Sequence, residues 1–385
     1  MVKEKELFLS IDDLKDLLKW KSDKGILSIY VDVKDRGKTA HQRWKTIIKS
    51  GLNKLMNNYP DNEHLERAAE KAHNELVNFP QEMKKRSLIY FYDADSGKTF
   101  WRSIQLPMEN DFVWMNTAFL RPVIAMTDEA PIMGIAVLSQ ELTRVMTWRQ
   151  GLIDEKEEVQ IEIKTDLVNE PTSGAGVGQL SGSTMDRFKH KVEVQVNKKL
   201  ANVALEMAKF AKMHNWENII LTGSPKFTDV VEEHLSNSLK NMVVGILDKN
   251  YINASISKIE ENTTELLHNW KRNLEARQVD DLLNTAAARG RAYIGVQNSI
   301  DALQQARVGH LFFNTDLHIG GHKDTDGSYY VDLSDEEIEG MEVEPHIIER
   351  MIELAFETNA KVTPLEDKAA DKLKEKGGVG VVLRY

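Results

Sequence analysis

The sequence predicts an α/β protein made of several domains. Short apolar runs rich in β-branched residues alternate along the chain with longer segments in which apolar residues recur at helical spacing. This alternation is typical of sheets covered by helices. At 385 residues the chain is also longer than one small hydrophobic core requires, so two or three domains are expected.

The composition is that of an ordinary globular protein and excludes several classes. Hydrophobic residues make up 41% of the chain, charged residues 29%, and no cysteine is present. No run reaches the roughly 18 apolar residues of a membrane helix, and Met1–Lys5 has no apolar segment behind it. We therefore expect a cytoplasmic protein without disulfides or thiolate zinc sites. The net charge of -10 argues against non-specific coating of nucleic acid, although local basic patches remain compatible with it.

The first domain is predicted to span residues 1–130. Helices are expected at Ile11–Trp20, His41–Asn57 and Asn62–Phe79. Strands are expected at Ile26–Val33, Ser87–Tyr92 and Lys98–Leu106. The turn sequence Asp95-Ser96-Gly97 predicts a hairpin, and Pro107–Pro131 has the composition of a linker.

A basic segment of this domain, Lys34–Lys49, surrounds Trp44. One interpretation is a solvated helix face with the tryptophan packed inward. The other is a patch that contacts phosphates and includes an exposed aromatic ring.

The middle domain is predicted at residues 131–260. Its elements are three strands, a long helix, a strand, a helix and a strand, at Ile132–Leu138, Leu142–Trp148, Val159–Ile163, Ser183–His214, Asn218–Gly223, Thr228–Leu239 and Met242–Leu247. Three antiparallel strands followed by helix, strand and helix is the order of an RNase H-like domain.

A glycine-rich loop, Ser173–Ser183, precedes the long helix and contains a single glutamine, Gln179. Its glycines bury nothing and leave the backbone nearly unrestricted, which predicts an exposed loop held at the end of a helix. A dinucleotide or P-loop site is not expected, because no strand ends before the glycines and no Gly-Lys-Ser/Thr follows them. The Gln179 amide does not titrate, so it could orient or exclude water, or it could be an ordinary polar loop residue.

The last domain is predicted at residues 261–385 as a three-layer α/β/α sandwich. Helices and strands alternate at Asn262–Arg289, Ala292–Val296, Ser299–Arg307, His310–Phe313, Pro345–Thr358, Lys361–Pro364, Asp367–Lys376 and Val379–Leu383.

A group of histidines and aspartates in this domain is the best candidate for a metal site. Its members are His310, His318, His322, Asp316, Asp324 and Asp326. However, Gly320 and Gly321 oppose a helix that would align His318 with His322, and Asp326-Gly327 is typical of a hairpin turn. Leu333 also stands where a calcium loop needs a glutamate. We therefore expect a solvated loop and predict neither a metal nor a cofactor.

The loop and the residues that follow it resemble a known motif. The motif residues are Gly178-Gln179, Arg187-Phe188, Lys189, His190 and Lys191. They resemble the middle domain of archaeo-eukaryotic class 1 peptide-chain release factors, whose loop carries Gly-Gly-Gln before an Arg-Phe helix start. Three further stretches, Ile219–Ser224, Gly290–Phe313 and Gly377–Tyr385, are similar to later segments of that family. The similarity is to its prokaryotic release-factor-like (baeRF) branch, related to Pelota and to the ankyrin/zinc-finger peptidyl-tRNA hydrolase.

The chain departs from the family pattern at identifiable points. Val177 replaces the first glycine of the triplet, and seven residues separate Gln179 from Arg187 where release factors have about three. Met1–Ala130 contains no Asn-Ile-Lys-Ser-type motif, so codon-specific termination is not expected.

The resemblance implies a codon-independent hydrolase of the peptidyl-tRNA ester that acts on stalled ribosomes or large subunits. It assigns catalysis to Gln179 and Gly178. It assigns substrate or RNA contacts to Gly176, Val177, Arg187, Lys189 and Lys191. The implied partners are the ribosome with its rRNA, peptidyl-tRNA, and a translational GTPase or another rescue factor. The alternative is a Pelota-like rescue or adaptor protein that binds the ribosome without hydrolysis.

Overall fold

The computed structural model describes residues 9–32, 38–78, 86–153, 159–162, 182–288, 290–334 and 336–385. The chain forms two compact units. Unit 1 comprises Met1–Glu129 and Lys271–Tyr385, and unit 2 is the intervening Ala130–Trp270. The division into domains 1–130, 131–260 and 261–385 stays a prediction. In the part of the chain that the structure describes, no helix is long and apolar enough to span a membrane.

The N-terminal part of unit 1 is an antiparallel sheet with helices on both faces. Its elements are α1 (Ile11–Leu17), β1 (Lys21–Asp32), α2 (Lys38–Asn58), α3 (Glu63–Val77), β2 (Ser87–Asp93), β3 (Thr99–Ile104), β4 (Asp111–Thr117) and α4 (Arg121–Glu129). The strand order is β3-β2-β1-β4. Side chains alternate along β1, so Leu27 and Ile29 pack against α2 and α3 while Ile26 and Tyr30 face the opposite core.

Two predictions for this part are settled by the structure. The hairpin at Asp95-Ser96-Gly97 is confirmed, with Gly97 at φ +70. The linker predicted at Pro107–Pro131 is wrong, because this segment forms β4 and α4. The flanking prolines and polar residues resemble a connector, but β4 is held by its pairing with the buried strand β1.

Trp44 lies inside the N-terminal part. Its side chain is only 2% exposed, and its indole N–H donates to the carbonyl oxygen of Leu76 at 2.8 Å. The interpretation of α2 with the tryptophan packed inward is therefore confirmed.

The described residues of unit 2 form a mixed sheet with helices. Its elements are β5 (Met133–Leu138), β6 (Leu142–Arg149), β7 (Leu152–Ile153), β8 (Val159–Glu162), α5 (Gly182–His214), β9 (Asn218–Thr222), α6 (Pro225–His234), α7 (Asn237–Lys240) and β10 (Val243–Leu247). The order is β8-β6-β5-β9-β10, with β7 also paired to β6. β5, β6 and β8 are antiparallel, whereas β9 and β10 run parallel to β5 and to each other. This strand order confirms the predicted RNase H-like topology.

One helix predicted in unit 2, Thr228–Leu239, is two helices in the structure, α6 and α7. Leu235 adopts an extended conformation with ψ 145, and the Ser236 hydroxyl accepts a hydrogen bond from the backbone N–H of Leu239. A serine cap thus starts a new helix where apolar periodicity alone predicted continuity.

The C-terminal part of unit 1 is a three-layer sandwich, as predicted. A long helix, α8 (Ile256–Ala287), enters it, followed by β11 (Ala292–Ile294), α9 (Val296–Gln304), β12 (Val308–Asn314), β13 (Gly321–Lys323), β14 (Tyr329–Tyr330), β15 (Glu342–Glu344), α10 (Ile347–Glu357), β16 (Lys361–Leu365), α11 (Asp367–Lys374) and β17 (Val379–Leu383). The main sheet has the order β11-β17-β12-β16. Phe313 and Val381 pack against α9 and α10, while Phe312 and Val382 face α8 and α11.

A second, small sheet in this part has the order β14-β13-β15. The segment was predicted to be a loop, so these short strands are a correction, whereas the turn at Asp326-Gly327 is confirmed. Asp324 Oδ1 accepts backbone hydrogen bonds from Asp326 at 2.9 Å and Ser328 at 2.8 Å, and Gly327 has φ +89.

The two parts of unit 1 share one hydrophobic core and a buried ion pair. The guanidinium of Arg121, on α4, donates to Glu349 Oε1 at 2.5 Å and to the carbonyl oxygens of Thr315 and Leu317 at 2.8 Å each. Arg121 is 5% exposed and Glu349 6% exposed. Removing one charge would leave the other buried without its partner.

A second charge cluster, which we call the Arg272 cluster, lies at the two points where the chain passes between the units. Lys271 Nζ lies 2.6 Å from Asp128 Oδ2. The Arg272 guanidinium pairs with Glu129, lies 3.1 Å from Glu275 and lies 3.3 Å from Glu366. The last residues before unit 2 are therefore bound to the first residues after it.

Glu275 is fully buried in this cluster. Burial raises its pKa from 4.5 to about 7 and outweighs the charges of Arg272 and Lys271, which lower it; Asp128 and Glu366 act in the same direction as burial. The carboxyl group thus takes up a proton on folding at mildly acidic pH.

We predict that Glu275 makes unit 1 less stable as pH rises. The pKa is higher in the folded state, so the wild-type free energy of unfolding should fall between pH 4.5 and about 7, by up to about 3 kcal/mol. Glu275→Gln should lack this slope and should unfold at a higher temperature than the wild type at pH 8. The measurement is calorimetric melting against pH, with the exposed Glu265→Gln on the same helix as the control. Parallel curves for wild type and Glu275→Gln would contradict the prediction.

A second prediction concerns the buried pair. Arg121→Met should destabilise unit 1 by about 3–5 kcal/mol in denaturant unfolding, because Glu349 is left as an uncompensated buried charge. The double variant Arg121→Met/Glu349→Met should recover part of that loss. A double variant less stable than Arg121→Met alone would show that the charge of Glu349 is not the source of the penalty.

Candidate functional site

The predicted catalytic loop precedes α5 directly. Gly176, Val177, Gly178 and Gln179 lie outside the described residues, and α5 begins three positions after Gln179, at Gly182. The predicted helix start at Ser183 is therefore confirmed to within one residue. Arg187, Lys189 and Lys191 lie on the described backbone of α5, in its first three turns, and their side chains are outside the described set.

α5 is a 33-residue helix fixed to the sheet of unit 2 by one apolar stripe. The stripe consists of Val196, Leu200, Val203 and Met207, which recur at helical spacing and are at most 3% exposed. They pack with Ala136, Leu138 and Leu221 of the sheet. At about 1.5 Å per residue, Gly182 lies about 21 Å along the helix axis from Val196. The first turns of α5 thus lead from the anchored stripe to the loop.

The far end of α5 is anchored by Trp216. Its indole ring covers Gly134, where an added Cβ would lie 2.2 Å from the ring, and its N–H donates to Thr147 Oγ1 at 3.0 Å. Near the other end, Glu193 pairs with Lys226 of α6 at 3.5 Å, and both side chains are exposed. The tryptophan is the stronger anchor, because exposed ion pairs contribute little.

The histidines and aspartates of the candidate metal site are dispersed. His310 lies in β12, where its Nε2 is 2.9 Å from Thr363 Oγ1; burial, with smaller contributions from Lys361 and Lys271, lowers its pKa to about 3. Asp324 is engaged in the turn between β13 and β14. Among the described residues, no three His, Cys, Asp or Glu side chains are grouped to hold a metal ion.

A cleft in the N-terminal part of unit 1 was not predicted. It has a volume of about 830 Å³ and is lined by Asp32, Arg43, Ile47, Arg86, Pro107, Met108, Glu109 and Asn110. Arg86 Nε and Nη2 each lie 3.4 Å from a carboxylate oxygen of Asp32, so its charge is matched within the cleft. Of its lining residues, Arg43 and Ile47 belong to the basic segment Lys34–Lys49.

The comparison with protein families supports the resemblance seen in the sequence. Residues 119–268 match the model described as "Bacterial archaeo-eukaryotic release factor family 10". This range contains the glycine-rich loop, the whole of α5 and the sheet of unit 2. The predicted resemblance to the bacterial branch of the archaeo-eukaryotic release factors is therefore confirmed for this part of the chain.

A relative and several solved structures are similar at low identity. "Uncharacterized protein YocB" of Bacillus subtilis (strain 168) is 23% identical over 247 residues, which are 62% of this chain and 90% of that protein. The structure described as a model of ribosome-bound archaeal Pelota and ABCE1 is 12% identical with a TM-score of 0.42, over 100% of this chain and 98% of that one. Dom34 of S. cerevisiae, described as a translation termination-like factor, is 12% identical with a TM-score of 0.40, over 98% and 94%. The archaeal translation termination factor aRF1 is 15% identical with a TM-score of 0.25, over 99% and 100%.

We predict that Gly134 is required for the anchoring of α5. Gly134→Ala should lower the stability of unit 2 by about 1–3 kcal/mol, because the new methyl group overlaps the ring of Trp216. The rate of amide hydrogen exchange in the last turns of α5 should be higher in Gly134→Ala than in the wild type. Gly134→Ala combined with Trp216→Leu should be no less stable than Trp216→Leu alone. If Gly134→Ala still lowers the stability of the Trp216→Leu variant, the overlap with the ring of Trp216 is not the source of the loss.

Proposed function

We propose that this protein is a codon-independent peptidyl-tRNA hydrolase that acts on stalled ribosomes or on released large subunits. The observation that carries the proposal is a sequence position: Gly178-Gln179 comes just before α5, with Gln179 three positions ahead of Gly182, inside the segment that matches the release factor model. The loop Ser173–Ser183 is then the part that reaches the ester.

The chemistry proposed for the loop is the addition of water to the ester carbonyl. The side-chain amide of Gln179 does not ionise, so it acts by positioning the water rather than by removing its proton. The backbone N–H groups of Gly178 and Gln179 stabilise the negative charge that develops on the carbonyl oxygen. The glycines let the backbone approach the substrate closely, because they lack a Cβ. Collapse of the tetrahedral species releases the peptide acid and the 3′-terminal hydroxyl of the tRNA.

The start of α5 supplies the contacts that place the loop. Arg187, Lys189 and Lys191 are proposed to bind phosphates of the tRNA acceptor end or of ribosomal RNA. Contacts of this kind fix position without reading sequence, which fits a chain whose residues 1–130 carry no codon-reading motif. The partners proposed are the ribosome, peptidyl-tRNA and a translational GTPase or another rescue factor, in the cytoplasm.

A second candidate is a Pelota-like protein that binds the ribosome and recruits other factors without hydrolysis. Val177 favours it, because a β-branched residue stands where the release-factor loop has a glycine. The seven residues between Gln179 and Arg187 also favour it, since they lengthen the path from the glutamine to the basic helix start.

We predict that release of peptide from stalled ribosome–nascent-chain complexes depends on Gln179. Gln179→Ala should slow release by about 10²–10³-fold, the usual cost of losing one group that stabilises the transition state, while co-sedimentation with ribosomes is unchanged. Gln195→Ala, a matched glutamine farther along α5, is the control and should release peptide at the wild-type rate. Val177→Gly should release at least as fast as the wild type.

The same assay separates the two candidates. If wild type and Gln179→Ala both bind ribosomes and neither releases peptide, the protein is a binder and the hydrolase proposal is wrong. If the wild type binds neither ribosomes nor tRNA, both candidates are wrong.

A further inference from the structure

The solvent side of α5 carries lysines and exposed apolar residues along most of its described length. Its members are Val194, Lys198, Leu205, Lys209 and Lys212, which we call the basic face of α5. At 3.6 residues per turn they fall within an arc of about 60°. Because Val196, Leu200 and Val203 fix the opposite side in the core, this face is held towards solvent.

The basic face contains no carboxylate. Of the acidic residues of α5 whose side chains are described, Glu193 and Glu206 lie to either side of the arc. Glu193 pairs with Lys226, and Glu206 pairs with Lys209 at 2.7 Å while Lys209 stays 67% exposed. The three lysines of the face outnumber the one carboxylate that pairs with them, so the face is locally positive in a chain whose net charge is -10.

The apolar residues of the face add a second signal. Val194 is 54% exposed and Leu205 is 62% exposed, and Met213, about 40° outside the arc, is 70% exposed. Three of the large apolar side chains that stand exposed in the described chain thus lie along one side of one helix. Val194 and Leu205 stand about three turns apart, so they supply separate apolar contacts between the lysines and not one continuous apolar patch.

We propose that the basic face of α5 binds the acceptor arm of the tRNA that carries the ester. Lysines are depleted at protein–protein interfaces but neutralise RNA phosphates, which favours RNA over an acidic protein. Val194 and Leu205 fit between the lysines against riboses, because the shallow minor groove of RNA exposes its sugars. The choice of tRNA rests on the proposed function, in which the loop before α5 acts on the ester of peptidyl-tRNA. The acceptor arm is the RNA double helix that carries this ester, so it is the part of the tRNA nearest to α5.

The test compares two triple variants of unit 2 with equal loss of charge. The first, Lys198→Gln/Lys209→Gln/Lys212→Gln, changes the basic face. The second changes lysines away from α5, Lys240→Gln/Lys249→Gln/Lys258→Gln, and keeps Lys226 because Lys226 pairs with Glu193 beside the basic face. Binding of deacylated tRNA is measured by fluorescence anisotropy against salt concentration, and binding of tRNA-free large subunits is measured by sedimentation.

The first variant should bind tRNA at least about tenfold more weakly at about 0.1 M salt, with a salt slope smaller by about 2 to 3. The second should bind like the wild type, and both should keep the wild-type helical content. Leu205→Glu should also weaken tRNA binding, whereas Leu205→Lys should not.

Three outcomes would overturn the inference. Equal losses in both triple variants would show a general charge effect. A loss confined to large subunits would assign the face to ribosomal RNA. Unchanged binding to both RNAs would leave the face to a protein partner. The proposed function is tested separately, in the release assay. If the wild type releases no peptide, the proposed function is wrong. The inference still holds in that case if the first triple variant loses tRNA binding and the second does not.

Discussion

The architecture depends on how buried charges are compensated where the chain leaves unit 1 and returns to it. Arg272 faces Glu129, Glu275 and Glu366, and the adjacent Lys271 binds Asp128. More carboxylates than cations meet in this cluster, and burial keeps a proton on Glu275 up to about neutral pH. Each charge therefore has a partner only while the end of α4 and the middle of α8 stay together. Arg121 and Glu349 impose the same requirement deeper in unit 1, because neither can be buried alone.

Much of the fold could be predicted from the sequence, because long periodic segments and compact β-branched runs determine helices and strands locally. The order of elements in unit 2 and the three layers of the C-terminal part follow from such segments. The failures at β4 and at the small sheet share one cause, because their conformation depends on partners distant in the chain, whereas the break between α6 and α7 comes from a local serine cap. The residues of β4 were predicted to form a linker, but they form a strand because they pair with β1 along its edge. The small sheet of β13, β14 and β15 consists of two- and three-residue strands, which have no periodicity to detect.

The candidate site was predictable in a different way. Nothing in the composition of Ser173–Ser183 distinguishes Gln179 from an ordinary loop residue, and only the surrounding motif gave it a role. The start of α5 agrees with the predicted helix start, and the matched range 119–268 includes the motif, while the role of Gln179 stays a prediction. The basic face of α5 escaped prediction for the opposite reason. Lysines such as Lys198 and Lys209 are common on any helix, and they form one surface only once the buried side of α5 is known.

The position of β17 has a consequence for folding during synthesis of the protein. This strand lies between β11 and β12, in the interior of its sheet, and its approach is tight because Gly380 leaves room for Leu282. It is also the last strand of unit 1 to leave the ribosome, long after residues 9–129 have emerged. Unit 2 is one continuous segment, Ala130–Trp270, whereas the core that the two parts of unit 1 share stays incomplete until the C-terminal part is synthesised. Because synthesis proceeds from the N-terminus, we expect chaperones to bind newly made unit 1 more than unit 2, which carries the glycine-rich loop.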